Sequence, residues 1–364
     1  MARKRNDENK GLPARWRLAH GAYYFQVPPG LEAQWDGKKL FRLGKTLSES
    51  YRTWATRIEW DSKVPNISAL LDRYLMEVVP TKAPKNQTSN TLWIKQLRIV
   101  FGELPLNSIK PTHIYQYVDK RSIKKVNANG HLTGGKTTAH REIEVLSHAF
   151  TKAVEWGYID RHPFKGEVRL EGEKARDRYV EDWEVIECLS LCNTRKKGSV
   201  LAIQAYIRLK LMTGMARSDL LRLTVANLKD DGIHIQRHKT IASSGKRTIY
   251  EWTPELRTIV DMAKAARPAL SPFLFCNRKG VGYINEETGE SHSWDSMWQR
   301  YMDRVMEETK VTVRFTEHDL RAKCASDATT LEHARALLSH ADARTTDAIY
   351  RRKPERVMPL NGVR

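Results

Sequence analysis

Acidic residues are the first shortage in this chain. Asp and Glu number 43 against 62 Lys and Arg, a formal net charge of +19 over 364 residues. A surplus of that size repels itself unless a polyanion offsets it, and nucleic acid is the usual partner. The plainer alternative is a basic protein of the ribosome, or one that is merely soluble. Cysteine is scarce too. Cys188 and Cys192 lie one helical turn apart, but Cys276 and Cys324 supply no second pair, so reduced thiols are expected rather than a zinc site. Long apolar runs are missing, with no stretch of about 18 residues such as a membrane helix needs. No apolar segment follows the basic start Met1-Ala2-Arg3-Lys4-Arg5, so neither export nor membrane insertion is expected and the protein is placed in the cytoplasm. Internal repeats and low-complexity segments are absent as well. The length suffices for two or three domains, each with its own core.

What is present separates into segments. Residues 2–10 form a polar, basic tail expected to be disordered until it meets a partner. Short β-like runs follow at 14–18, 22–27 and 39–43, punctuated by Gly21, Pro28-Pro29-Gly30 and Asp36-Gly37. A helix is predicted from Leu47 to about Trp60, capped by Thr46 or Ser48. Arg15, Arg17, Lys39 and Arg42 make this small module basic, although a solvated sheet face would carry the same residues. Residues 63–165 read as all-helical. Ile67, Leu70, Leu71, Tyr74, Leu75 and Val78 form one amphipathic stripe, and further helices are predicted near 87–101, after Pro111, and over 136–157. Lys85, Lys95, Arg121 and Lys136 supply outward charge there. The charged, glycine-containing stretch 166–178 reads as a linker. From 179 to 364 the pattern is mixed but mainly helical, with a β-ribbon near 232–237 and 247–252. The expected fold class is a multidomain α+β protein.

The last fifty residues concentrate the chemistry: His318-Asp319-Leu320-Arg321, then Leu337-Leu338-Ser339-His340, then Tyr350. His318 and Arg321, three apart on a helix, share a face and can converge on one phosphate. Arginine grips two non-bridging oxygens at once, which lysine does poorly. A protonatable imidazole can help hold the charge that builds on phosphorus. A tyrosine hydroxyl can attack and keep the strand end as a covalent ester, provided a proton acceptor or cationic surround activates it. Together these groups can break a phosphodiester without metal or water. The plainer reading of Tyr350 is an aromatic on a helix face.

This order and spacing resemble the tyrosine recombinases, the phage integrases in particular. The resemblance implies an arm-type DNA-binding domain over 1–62, a helical core-binding domain over 63–165, a linker at 166–178 hinging a C-shaped clamp, and a catalytic domain over 179–364. It implies site-specific integration and excision of a phage or mobile element through a 3′-phosphotyrosyl ester. Four protomers would synapse two duplexes and pass through a Holliday junction. The partners would be double-stranded DNA at core and arm sites, with a host DNA-bending protein and an excisionase as candidates, near the nucleoid of a bacterial host. Neither cofactor nor metal is implied. His340 resembles the second histidine of the family. Lys239, in Arg237-His238-Lys239-Thr240, resembles its β-hairpin lysine, the general acid that protonates the departing 5′ oxygen; a surface lysine is the alternative.

Two departures stand out. His340 and Tyr350 are ten steps apart, one more than the common family spacing, which would put Tyr350 on a mobile segment. The family pattern T-G-x-R-x-x-[E/D]-L meets Thr213-Gly214-Met215-Ala216-Arg217-Ser218-Asp219-Leu220, so Ala216 fills the arginine slot. Arg217 comes one residue late, a turn of about 100° on a helix. A slip would rescue it only by moving Asp219 and the leucine stripe out of register. A vacated arginine site, and an impaired enzyme, is the expectation. A tyrosine-dependent topoisomerase and a non-catalytic regulator of the same fold stay open.

Overall fold

The computed structural model describes residues 9, 11–55, 57, 66–126, 132–172, 176–193, 199–241, 245–354 and 358. The basic tail apart from Asn9, the end of the first predicted helix, the 127–130 loop and most of the C-terminal tail lie outside them. Packing divides the chain into two compact units, 1–173 and 174–364.

In the first unit, β1 (Trp16–Ala19), β2 (Ala22–Gln26) and β3 (Leu40–Gly44) form an antiparallel sheet in that order. Register places Trp16, Phe25 and Phe41 in line across the strands, and Arg17, Tyr24 and Arg42 in line at the next position. Successive strand residues point to opposite faces, so one face is aromatic and the other basic. The aromatic face is buried against Trp35, Tyr51 and Trp54, with Phe25 and Trp35 ring centroids 4.6 Å apart. A one-residue slip would exchange the faces, and burial of those rings forbids it.

Helix α1 (Leu47–Ala55) starts as predicted, with the Thr46 hydroxyl accepting the Glu49 amide at 3.2 Å. The bundle comprises α2 (Ile67–Glu77), α3 (Pro84–Phe101), α4 (Pro111–Ser122) and α5 (Lys136–Glu155). Two short strands, β4 (Lys125–Val126) and β5 (Leu132–Thr133), pair before α5, where only a loop was expected. Sheet and bundle share one core. At their junction the buried Arg98 pairs with Asp72 and donates to the Tyr51 hydroxyl and the Ser68 carbonyl, each at 3.1 Å. Residues 168–170 of the predicted linker are docked on this core. Val168 and Leu170 pack on this core, and the Tyr115 hydroxyl accepts the Arg169 amide at 3.0 Å.

The second unit is mainly helical around one ribbon. Its elements are α6 (Asp182–Leu189), α7 (Ser199–Thr213), α8 (Arg217–Leu221), β6 (Gly232–Gln236), β7 (Arg247–Glu251), α9 (Pro254–Ala265), α10 (His292–Glu308), α11 (Glu317–Asp327), α12 (Leu331–Leu337) and α13 (Ala343–Tyr350). Ile203, Tyr206 and Ile207 of α7 are fully buried beside Trp294 of α10, which makes α7 the central helix of this core. Among the described residues, no helix is long and apolar enough to cross a membrane.

Candidate active site around Tyr350

The start of α11 sets the geometry. The Thr316 hydroxyl accepts the Asp319 amide at 3.3 Å, while the Asp319 carboxylate takes the Thr316 amide and hydroxyl at 2.9 Å. This reciprocal cap fixes the first turn, so His318 and Arg321 leave the helix on one side. Arg321 is buried and donates to the Gly214 carbonyl, to the Leu338 carbonyl at 2.8 Å, and to Nε2 of His340 at 3.1 Å. Gly214 is at φ +62°, and a Cβ there would lie 2.8 Å from Leu338 Cδ2 and 3.1 Å from Cys324 Sγ. Only glycine brings a carbonyl that close to the guanidinium.

His340 follows a sharp reversal in which Ser339 adopts φ +53°. Arginine can only donate, so the His340 Nε2 accepts and its Nδ1 carries the proton, donated to the Thr346 hydroxyl at 2.8 Å. Burial, reinforced by the charges of Arg321, Arg237, Lys246 and Lys239, drives the His340 pKa down to about 3. The ring is therefore neutral at pH 7. His318 stands at the surface of α11. Partial desolvation, with repulsion from Arg352 next, lowers its pKa as well.

Tyr350 is the last residue of α13. Its ring centroid lies 5.0 Å from each of the His318 and His340 rings, and the Arg321 guanidinium carbon lies 5.4 Å from it. The Ser326 hydroxyl donates to the Tyr350 carbonyl at 2.9 Å and accepts the Arg352 amide at 2.7 Å. The longer His340–Tyr350 interval thus ends on a helix terminus held to α11, where a mobile segment was expected.

The ribbon supports the histidine turn from the other side. Tyr250 donates to the Leu337 carbonyl and Thr248 meets the Ser339 hydroxyl, both at 2.8 Å. Lys246 reaches the His340 carbonyl at 2.6 Å and Arg237 the Ser339 carbonyl at 3.2 Å. Lys239 is exposed on the turn after β6, close enough for its charge to act on His340. Ala216 is half-buried and caps α8 with a bare methyl. Arg217 is committed elsewhere: it pairs with Asp295, meets Glu317 at 3.2 Å and reaches the Ser291 hydroxyl at 2.5 Å.

The residues expected to touch DNA fall into two groups. Arg15, Arg17, Lys39, Arg42 and Lys85 are exposed, and Lys95 is half-buried on α3. Lys136 pairs with Glu171 at 2.6 Å. Arg121 holds the fully buried Glu142 with two donors, at 2.8 and 2.9 Å, beside the Tyr117 hydroxyl, so its charge is spent inside the bundle. Sequence reasoning passed over Ser326, Arg352 and Lys210. Lys210 is fully buried on α7 with its ammonium 3.2 Å from the Met215 carbonyl, and burial lowers its pKa to about 7. A lysine between two leucines, Leu209 and Leu211, was the one available signal.

No protein-family model and no curated protein sequence matches the chain. Solved structures do. A lambda integrase tetramer bound to a Holliday junction superposes with a TM-score of 0.60 at 17% identity, over 98% of this chain and 99% of that one. A lambda integrase dimer bound to a core site gives 0.59 at 17% identity over the same extents. The Tn1549 transposon integrase, in complex with a circular intermediate DNA, gives 0.62 at 14% identity over 79% of this chain and 95% of that one. The chain therefore has the fold of these integrases.

Proposed function

We propose that this protein is a site-specific DNA recombinase of the tyrosine type, acting on a phage or other mobile element as a tetramer on DNA in a bacterial cytoplasm. The observation that carries the reading is the convergence of His318, His340 and Arg321 on the Tyr350 ring. A scissile phosphate seated there meets Arg321, whose remaining donors face no carboxylate among the described residues. The Tyr350 hydroxyl attacks phosphorus as its proton passes to the imidazole of His318 beside it, forming a 3′-phosphotyrosyl ester and expelling the 5′ oxygen, which Lys239 protonates. The ester conserves the bond for a second duplex's 5′ hydroxyl. Burial, reinforced by the surrounding cations, keeps His340 neutral. An incoming phosphate offsets them and raises its pKa, so binding itself recruits the proton that His340 needs to donate. The exposed arginines of β1 and β3 fit the phosphate contacts of an arm-type module, which position rather than specify.

A non-catalytic DNA-binding regulator is the second reading, favoured by Ala216 and by the engagement of Arg217 with carboxylates. One experiment separates the two. The chain is incubated with nicked duplexes whose core sequence is randomised, and adducts that survive detergent are isolated and sequenced. Adducts that vanish in Tyr350→Phe support the recombinase. Tight DNA binding with no adduct, from this chain and from Ala216→Arg alike, supports the regulator.

A further inference from the structure

The site described above lacks a second arginine at position 216, and Arg217 does not take its place. Yet another arginine already stands in the same shell. Arg237, at the end of β6, places Nη1 3.2 Å from the Ser339 carbonyl, directly before His340, whose Nε2 is 3.1 Å from Arg321. Its Nε is buried and has no hydrogen-bond partner. Among the described residues no carboxylate lies within ion-pair distance of it. A buried guanidinium donor without a partner is costly, and sites retain such groups when a ligand completes them. The electrostatics agree: burial first, then the like charge of Arg321, lowers the pKa of Arg237, opposed by the Asp219 carboxylate and then by Tyr350. Three features thus coincide at one side chain, namely a spare donor, the lack of an ion-pair partner among the described residues, and proximity to both Arg321 and the nucleophile.

We infer that Arg237 is the second phosphate-clamping arginine of this chain, supplied from the ribbon in place of the one missing at Ala216. The inference rests on the recombinase reading and deepens it. In the complex, Arg237 donates to a non-bridging oxygen of the scissile phosphate opposite Arg321. The pair then holds both oxygens as charge develops on phosphorus. Arg217 remains a structural residue tying α8 to α10 and α11.

The test measures the rate of adduct formation on a nicked duplex recovered from the randomised pool. It compares the unmodified chain with Arg237→Gln, Arg237→Lys, Ala216→Arg, Ala216→Arg/Arg237→Gln and Arg217→Gln. Arg237→Gln is expected to slow the adduct by about 10²–10³-fold, with DNA affinity within a few-fold and an unchanged circular dichroism spectrum. Arg237→Lys is expected to keep part of the rate, since lysine retains the charge but not the fork. The decisive chain is the double variant. Restoring arginine at 216 is expected to recover most of the rate lost in Arg237→Gln, which a merely structural role would not allow.

An Arg237→Gln rate near that of the unmodified chain overturns the inference. So does a double variant as slow as Arg237→Gln, or a loss that appears in Arg217→Gln instead. An adduct formed only by Ala216→Arg leaves the recombinase reading standing and removes Arg237 from it. No Tyr350-dependent adduct from any chain overturns both.

Discussion

Both units carry arginine toward the protein interior, but the second holds two of its arginines without a carboxylate among the described residues. In the first unit the buried Arg98 meets Asp72 and the partly buried Arg121 meets Glu142. In the second, Arg352 is paired with Asp319 in the same way, but Arg321 and Arg237 are held by backbone carbonyls and a histidine nitrogen. A carboxylate cancels the charge, so the first pairs knit a core and offer nothing to a ligand. A carbonyl orients a guanidinium and leaves its charge intact, ready for an anion. Which acceptor holds the arginine, rather than how deeply it is buried, separates structure from chemistry here.

The largest effect expected from breaking this contrast is at the reacting groups. Tyr350→Phe should abolish the covalent adduct, and Arg321→Ala should slow it by at least about 10³-fold. Thermal melting should leave Tyr350→Phe almost unchanged, because the carbonyl that Ser326 grips is backbone. Next comes the paired interior. Arg98→Ala strands Asp72 and should cost about 3–5 kcal/mol, read from denaturant titration. Arg98→Met combined with Asp72→Leu should recover most of it, since both charges then leave together.

Lys210 tests the rule from the other direction. Its ordinary pKa near 10.5 falls to about 7 in the folded chain. Below pH 7 the folded state must keep a buried ammonium, so the penalty is full there. It shrinks as pH rises and disappears above about 10.5, where both states are neutral. Lys210→Met should therefore raise the melting temperature at pH 6 and leave it nearly unmoved at pH 10.5. An equal shift at both pH values would mean that packing, not charge, is responsible. The smallest effect sharpens the comparison within the first unit. Arg17→Ala and Arg42→Ala should each lower the slope of log affinity against log salt by about 1, whereas Arg121→Ala should leave it unaltered.

The sequence made the local elements legible because their signals are local. Alternation around Trp16, Phe25 and Phe41 marks strands, the stripe from Ile67 to Val78 marks a helix, and His318 with Arg321 declares a shared face by spacing alone. The integrase fold found in the solved structures accords with the α+β architecture expected from these patterns. What stayed hidden depends on partners distant in sequence. Nothing in Arg121 shows that Glu142, 21 residues on, consumes its charge. Nothing in Arg-His-Lys-Thr distinguishes Arg237 from Lys239 until the ribbon is laid against the Ser339 turn. The hairpin of β4 and β5 escaped notice because two-residue strands have no period to read.

Asp319 has a consequence that is mechanical. One of its oxygens binds Arg176, where the chain comes into the second unit, at 3.0 Å; the same oxygen binds Arg352, where the chain leaves, at 2.7 Å. The other oxygen clamps the first turn of α11 through Thr316. The segment leading in and the residues leading out thus share one of their fastenings, a carboxylate one residue from His318. Both ends of this unit are therefore joined, through one side chain, to the turn of helix that carries His318.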